Sequence, residues 1–305
     1  MPVSYIDQRL PTHYPGRPRK KREYKTTEIN QLADRILSAD RSNRRMVVLE
    51  MLYEFGILTE ATLFRLVSER VEISDNINTF NRQLRMYQKD GLIVDAPFGV
   101  LKRVTRADLP TPETGSLRAY CLGPVGEEYV RRKGWGLETP AVPVVEEHMV
   151  HDLLCAEAML RMRQLWREHP KNPGKVEVYG PREVAVWDAE KRTYIIAPDG
   201  LLKKYSLEGK LERAFLVEYQ NVRALLQVKQ KIKRYEEIAD PKYQWLWSAR
   251  WGVEEMPWVM VMYRQKSTLH HYEEQIAQRG EMASRFASTS IEVIWAGKLS
   301  ITAID

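Results

Sequence analysis

Apolar residues recur at helical spacing over three segments in the first third of the chain. Between residues 43 and 55 they are Val47, Val48, Met51, Leu52 and Phe55, which predicts an amphipathic helix. Gly56 follows, and a glycine just past the last apolar position commonly ends a helix. A second helix is predicted to begin at Thr59, and a third to run from about Ser74 to Gly91.

A β-hairpin is predicted directly after the third helix. The apolar segments 92–94 and 100–104 flank the turn Pro97-Phe98-Gly99. Three helices followed by a hairpin are typical of a winged helix-turn-helix domain, in which the third helix enters the major groove of DNA.

The outer face of the third helix is polar, and its side chains can bond base edges and phosphates. The residues predicted to contact DNA there are Asn78, Thr79, Asn81, Arg82, Arg85 and Gln88. The residues predicted to add positive charge on the hairpin are Lys102 and Arg103, and those predicted to do so in an N-terminal arm are Arg19, Lys20, Lys21 and Arg22. The net charge of +6 also favours a polyanionic partner. A solvated helix face, or a surface for dimerisation, is the alternative.

The second half of the chain alternates helices with short apolar strands. Helices are predicted near residues 147–168, 222–238 and 269–285, and strands near 176–179, 184–187, 194–197, 215–218, 258–263 and 290–295. This order predicts an α/β domain with a mixed sheet, and so a multi-domain α/β protein.

Two carboxylates follow neighbouring predicted strands in this half. Asp199 lies in Ala197-Pro198-Asp199-Gly200, and Glu218 ends a strand before Tyr219-Gln220. A basic helix comes next. Carboxylate oxygens are the ligands that Mg²⁺ prefers, and such a metal activates water for attack on phosphate.

This pattern resembles the PD-(D/E)xK nuclease-like core, with Pro198-Asp199 as its first element and Glu218-Tyr219-Gln220 as its second. The resemblance implies Mg²⁺ as the cofactor and Asp199 and Glu218 as its ligands. Gln220 stands where the family has a lysine beside the attacking water. Lys229 or Lys231 of the next helix could replace that lysine, and Lys229 is the candidate.

Glu157 lies on the preceding helix, where many nuclease-like cores supply a third acid. It is a candidate metal ligand on that resemblance, and a solvated helix acid is the alternative. Tyr235 is predicted to pack in the core. For Asp199 and Glu218 the alternative is a turn residue and an ordinary strand-end acid.

Short motifs along the chain follow an order that resembles the replication-relaxation family of plasmid and mobile-element proteins. They are Tyr120-Cys121-Leu122-Gly123-Pro124-Val125-Gly126, His151, Pro198-Asp199, residues 215–219 and residues 231–235. The resemblance implies DNA binding in plasmid replication, in relaxation or mobilisation, or in their regulation. The implied partners are double-stranded DNA and relaxase, transposition or replication proteins. The family usually has a further acid where this chain has Gln220.

These patterns predict four segments. They are a basic, partly disordered arm (1–41), a winged helix-turn-helix DNA-binding domain (42–135), a linker (136–146) and a nuclease-like α/β domain (147–305).

The preferred hypothesis is a DNA-binding accessory protein of a plasmid or mobile element. The alternatives are a Mg²⁺-dependent DNA endonuclease of the PD-(D/E)xK type and a protein-interaction adaptor. A homodimer is left open. No run of eighteen apolar residues and no apolar leader occurs, so we expect no membrane partner and a cytoplasmic location.

Overall fold

The computed structural model describes residues 25–39, 43–71, 76–96, 100–101, 118–135, 146–169, 174–188, 190–220 and 225–304. The chain divides into two compact units, one up to Leu154 and one from Cys155 onward. Nearly all of the predicted linker 136–146 and most of the predicted arm lie outside the described residues. Within the described ranges, no helix has the length and apolarity needed to cross a bilayer.

The first unit combines helices with a small antiparallel sheet. Its elements are α1 (Thr26–Ala39), α2 (Asn43–Phe55), β1 (Ile57–Thr59), α3 (Glu60–Arg70), α4 (Ile77–Lys89), β2 (Ile93–Asp95), β3 (Ala119–Leu122) and α5 (Pro124–Arg132). The strands pair in the order β1-β3-β2. Each of the three predicted helices is present, and α2 has the predicted bounds.

Side-chain caps set where α3 and α4 begin. The Thr59 hydroxyl accepts a hydrogen bond from the Thr62 amide at 3.2 Å. The Asn76 side chain accepts one from the Asn78 amide at 2.8 Å. Such caps satisfy amides that have no partner in the first turn of a helix. Helix α4 therefore begins two residues after the predicted Ser74-Asp75 start.

The strand that pairs with β2 is not the predicted one. Ile93, Val94 and Asp95 pair with Leu122, Cys121 and Tyr120 of β3. Val100 and Leu101, predicted to begin the return strand, are helical instead, and residues 102–117 lie outside the described residues. The hairpin prediction was therefore wrong in its second strand, because β3 supplies the four buried residues that complete this sheet.

The second unit is a mixed α/β structure, as the sequence predicts. Its elements are α6 (Glu146–Arg167, which begins before the division), β4 (Lys175–Tyr179), α7 (Pro181–Val184), β5 (Val186–Asp188), β6 (Thr193–Ile196), β7 (Gly200–Tyr205), β8 (Leu211–Gln220), α8 (Leu225–Ala239), β9 (Trp258–Tyr263), α9 (Lys266–Ile276), β10 (Phe286–Ser290), α10 (Ile291–Trp295) and β11 (Thr302–Ala303). Pro241–Tyr243 and Gly280–Arg285 form 3₁₀ helices, and Leu246–Arg250 form a π-helix.

Six of these strands form one sheet in the order β11-β10-β9-β8-β7-β4. Strands β4, β7 and β8 are successively antiparallel, whereas β8, β9 and β10 run parallel, with α8 and α9 as crossover connections. Val228 and Ile232 of α8 pack on one face of the sheet. Trp166 of α6 stacks on Phe215 of β8, whose side chain points to the opposite face. The sheet is therefore covered on both faces.

Two strand predictions failed in this unit. Residues 200–205, where no strand was predicted between 194–197 and 215–218, form β7, an interior strand of the sheet. Residues 290–295, predicted as the last strand, are instead the final residue of β10 and the short helix α10, and β10 itself lies just before the predicted strand. Lys203 and Lys204 interrupt the apolar pattern of β7, and β10 consists largely of small polar residues, so neither strand shows the apolar run that marks a strand in a sequence.

Gly126 is predicted to be essential for packing α5 against the start of β2. A β-carbon at this position would lie 2.1 Å from the Leu92 carbonyl oxygen, a backbone atom that cannot turn away. We expect Gly126→Ala to cost about 3 kcal/mol in urea unfolding, although alanine favours helix by about 0.5–1 kcal/mol.

The control is Gly134→Ala. The added carbon meets nothing within 4 Å, and the backbone at Gly134 has a positive φ of 78°. This variant should lose only about 1 kcal/mol of unfolding free energy, the cost of placing alanine in a left-handed backbone conformation. Equal losses for the two variants would contradict the packing explanation.

Candidate functional site

The two predicted acids lie side by side at one end of β8. Gly200 of β7 pairs with Val217 of β8. The Asp199 amide donates to the Val217 carbonyl at 2.9 Å, and the Tyr219 amide donates to Oδ2 of Asp199 at 2.8 Å. Asp199 therefore precedes β7 instead of ending the strand before it, and it reaches Glu218 because β7 and β8 are antiparallel.

Helix α8 supplies two partners for Glu218. The ammonium of Lys231 forms an ion pair with Oε2 of Glu218 and lies 4.0 Å from Oδ2 of Asp199. The hydroxyl of Tyr235 donates to Oε1 of Glu218 at 2.5 Å. Residues four apart share a helix face, so one face of α8 provides both groups. We call Asp199, Glu218, Lys231 and Tyr235 the carboxylate cluster.

Gln220 has a separate partner on α9. It lies on the same face of β8 as Glu218, since side chains alternate along a strand. The Tyr272 hydroxyl donates to Oε1 of Gln220 at 3.1 Å, and both residues are buried. Gln220 is therefore held by a neutral hydrogen bond.

Burial and charge shift the proton affinities of the carboxylate cluster. Burial raises the pKa of Glu218, opposed by the charge of Lys231. Burial would lower the pKa of Lys231, but the charges of Glu218 and Asp199 outweigh it and raise that pKa above its usual value. Burial, followed by the charge of Glu218, raises the pKa of Tyr235 well above that of a free tyrosine. The lysine is therefore the fixed positive charge of the cluster.

The side chains present do not fit a bound Mg²⁺. The Glu218 side chain is 3% exposed and gives one oxygen to Lys231 and the other to Tyr235. Magnesium keeps several of its waters when it binds a protein, which requires open space beside its ligands. In the described part of the chain, no three His, Cys, Asp or Glu side chains gather as metal ligands, so buried Glu157 does not complete a three-acid set.

The candidate lysine is corrected by this geometry. Lys229 is exposed. It lies two residues before Lys231, a separation that corresponds to a rotation of about 200° around the helix, so it points away from the side that Lys231 occupies. Lys231, which the sequence left as the alternative, contacts both acids. Tyr235 is buried as predicted, but it also donates to Glu218. The spacing of buried Val228 and Ile232 with Lys231 and Tyr235 could have identified this helix face.

A second candidate surface lies on α4 in the first unit. Phe80, Leu84 and Tyr87 are buried, and they turn the opposite side of the helix outward. The residues exposed on that side include Asn78, Thr79, Arg82, Arg85 and Lys89. The segment from Ile77 to Lys89 contains no acidic residue. We call these five exposed residues the α4 basic face; Lys89 was missing from the predicted set.

Two predicted DNA contacts on α4 are placed differently. The Asn81 amide donates to Oε1 of Glu60 at 2.9 Å, and the Tyr120 hydroxyl donates to Oε2 of the same carboxylate at 3.0 Å. Asn81 thus joins α4 to α3 and β3. Gln88 is half-buried. Lys102, Arg103, Arg19, Lys20, Lys21 and Arg22 lie outside the described residues.

Comparison of the chain with protein-family models, with curated proteins and with solved structures gives no match. The two surfaces therefore have to be interpreted from their own chemistry.

The hydrogen bond from Tyr235 is predicted to contribute more than the one from Tyr272. Both tyrosines are buried, but Tyr235 donates to a carboxylate and Tyr272 to an amide oxygen. Tyr235→Phe should cost about 1.5–3 kcal/mol in urea unfolding and Tyr272→Phe about 0.5–1.5 kcal/mol. The reverse order would show that Glu218 does not depend on Tyr235.

The carboxylate cluster is also predicted to make stability fall at alkaline pH. The folded protein keeps the protons of Lys231 and Tyr235 at a pH where the unfolded chain has lost them. The free energy of unfolding must then decrease as the pH rises above about 10.

Urea unfolding at a series of alkaline pH values checks this slope. Lys231→Met and Tyr235→Phe should each make this slope shallower, by up to the contribution of one bound proton. Lys229→Met, an exposed lysine of the same helix, is the control. A slope identical in wild type and both cluster variants would contradict the assigned protonation.

Proposed function

We propose that this protein binds double-stranded DNA through α4, as an accessory or regulatory protein of a plasmid or mobile element. The observation that carries the proposal is the α4 basic face. It presents two arginines, a lysine and two small polar side chains on one exposed helix surface with no acid among them. Arginine pairs with guanine and with phosphate, and asparagine pairs with adenine.

The order of elements in the first unit supports this use of α4. It is the last of three helices, α2, α3 and α4, and it leads into a small antiparallel sheet. In a winged helix-turn-helix domain, the helix at this position enters the major groove. The hydrogen bonds from Asn81 and Tyr120 to Glu60 fix α4 against the rest of the unit, so the exposed arginines extend from a rigid support.

The second unit supports the proposal as a scaffold or partner-binding module. Two neighbouring acids at the end of β8, with a following crossover helix, agree with a nuclease-like core. Lys231 and Tyr235 already occupy the Glu218 oxygens, so we derive no catalytic step here. Metal-dependent cleavage stays a prediction, and Mg²⁺-dependent nicking of supercoiled plasmid that Asp199→Asn abolishes would support it.

Loss of two arginines from the α4 basic face is predicted to weaken duplex binding. Arg82→Ala combined with Arg85→Ala should lower affinity for duplex DNA at least about tenfold, since each bidentate contact with a base contributes roughly 1–3 kcal/mol. Fluorescence anisotropy at several salt concentrations would also reveal a shallower salt dependence, by about 0.9 for each lost phosphate contact.

The control combines Arg35→Ala with Arg131→Ala, two exposed arginines on other helices of the same unit. It removes the same charge and should retain most of the affinity. Wild-type affinity in the α4 variant would exclude groove docking by α4. If wild type itself binds no duplex at physiological salt, the protein-interaction adaptor is the better hypothesis.

A further inference from the structure

The carboxylate cluster has the negative charges of a cation-binding site, and a lysine side chain of the same protein lies against them. Asp199 and Glu218 contribute two negative charges at the end of neighbouring strands. Lys231 places one positive charge against both of them. An ammonium group is a compact point charge with three donors, which suits this position better than the flat guanidinium of arginine.

We propose that the Lys231 ammonium takes the position of a divalent cation between Asp199 and Glu218, so that this site is metal-free in the native protein. The site is thus a structural ion cluster that binds α8 to the end of β8. This inference concerns the second unit alone, and its failure would leave DNA binding by α4 untouched.

The burial of the cluster supports a resident cation over an exchangeable one. The side chains of Glu218 and Asp199 are 3% and 19% exposed, and Lys231 is the most exposed member at 33%. The open side of the cluster is therefore covered by the lysine itself. A hydrated metal ion would have to displace that lysine before it reached Glu218.

The remaining contacts also favour a site built around an ammonium. Tyr235 donates to the Glu218 oxygen that Lys231 does not contact, and the Tyr219 amide donates to Asp199. These neutral donors stabilise the excess negative charge that one ammonium leaves uncompensated. The structure therefore provides a partner for each carboxylate without a metal ion.

The proposal makes an unusual prediction, that removal of Lys231 creates a metal site. Lys231→Ala leaves two adjacent carboxylates without a positive charge and opens space beside them. We expect this variant to lose about 6–20 °C of melting temperature in EDTA, as the loss of one partner of a buried ion pair does in a unit of this size, and to regain part of it in Mn²⁺ or Mg²⁺. It should also bind one Mn²⁺ ion per chain, measured by loss of the free-ion electron paramagnetic resonance signal.

Wild type and two further variants make the test decisive. Wild type should bind no Mn²⁺ saturably at millimolar concentration and should melt at the same temperature in EDTA and in Mg²⁺. Lys229→Ala, the same change at an exposed position of α8, should match wild type in every measurement. Lys231→Ala with Glu218→Gln should regain stability in EDTA and bind no Mn²⁺, because one negative charge has been removed.

Three results would overturn the proposal. The first is stoichiometric Mn²⁺ binding by wild type that Glu218→Gln abolishes. The second is a folded Lys231→Ala protein that neither binds Mn²⁺ nor gains stability from it. The third is failure of both Lys231→Ala and its double variant to fold, which would assign Lys231 a packing role instead of a charge role.

Discussion

The second unit depends on the neutralisation of one carboxylate, that of Glu218, buried within the central strand β8. Removing one partner of a buried ion pair costs about 3–5 kcal/mol, a large fraction of the stability of a domain. Lys231 and Tyr235 meet this requirement, and both come from the same face of α8. The position of α8 on the sheet is therefore constrained by hydrogen-bond geometry as well as by apolar packing.

The same constraint limits the chemistry of the site. A metal-dependent nuclease needs carboxylate oxygens that face solvent and a hydrated ion. Here the oxygens of Glu218 face a lysine and a tyrosine, and Gln220, on the same face of the strand, bonds to Tyr272. The arrangement that stabilises the sheet is thus the one that separates Glu218 from a metal ion. Two positions with the sequence spacing of a catalytic pair are held here by an ion pair and by hydrogen bonds.

In the first unit, too, a carboxylate connects secondary-structure elements. Glu60 accepts hydrogen bonds from Asn81 on α4 and from Tyr120 on β3, so one carboxylate joins a helix to the sheet. Phe80, Leu84 and Tyr87 bury the other part of α4. Together they fix the rotation of the helix, and Arg82 and Arg85 then face outward. Recognition of a rigid polymer such as duplex DNA benefits from this fixed presentation.

The sequence by itself determined the amphipathic helices of the first unit, the α/β order of the second, and the pairing of Asp199 with Glu218. Periodicity carries this information because it reports which side of an element is buried. Strand β7 escaped notice because Lys203 and Lys204 interrupt its apolar pattern. Lys203 lies over the Tyr179 ring and Lys204 pairs with Glu212, partners that exist only once the sheet has formed.

The tertiary structure alone decided which lysine meets the acids and which strand follows Asp199. Lys229 and Lys231 are the same residue type and lie only two positions apart in the sequence. The packing of Val228 and Ile232 on the sheet, together with the hydrogen bonds to Glu218, sets the rotation of α8 and brings Lys231 to that carboxylate. Local sequence patterns do not distinguish these two lysines. The tertiary contacts do, because the energy of a buried charge depends on the atoms around it.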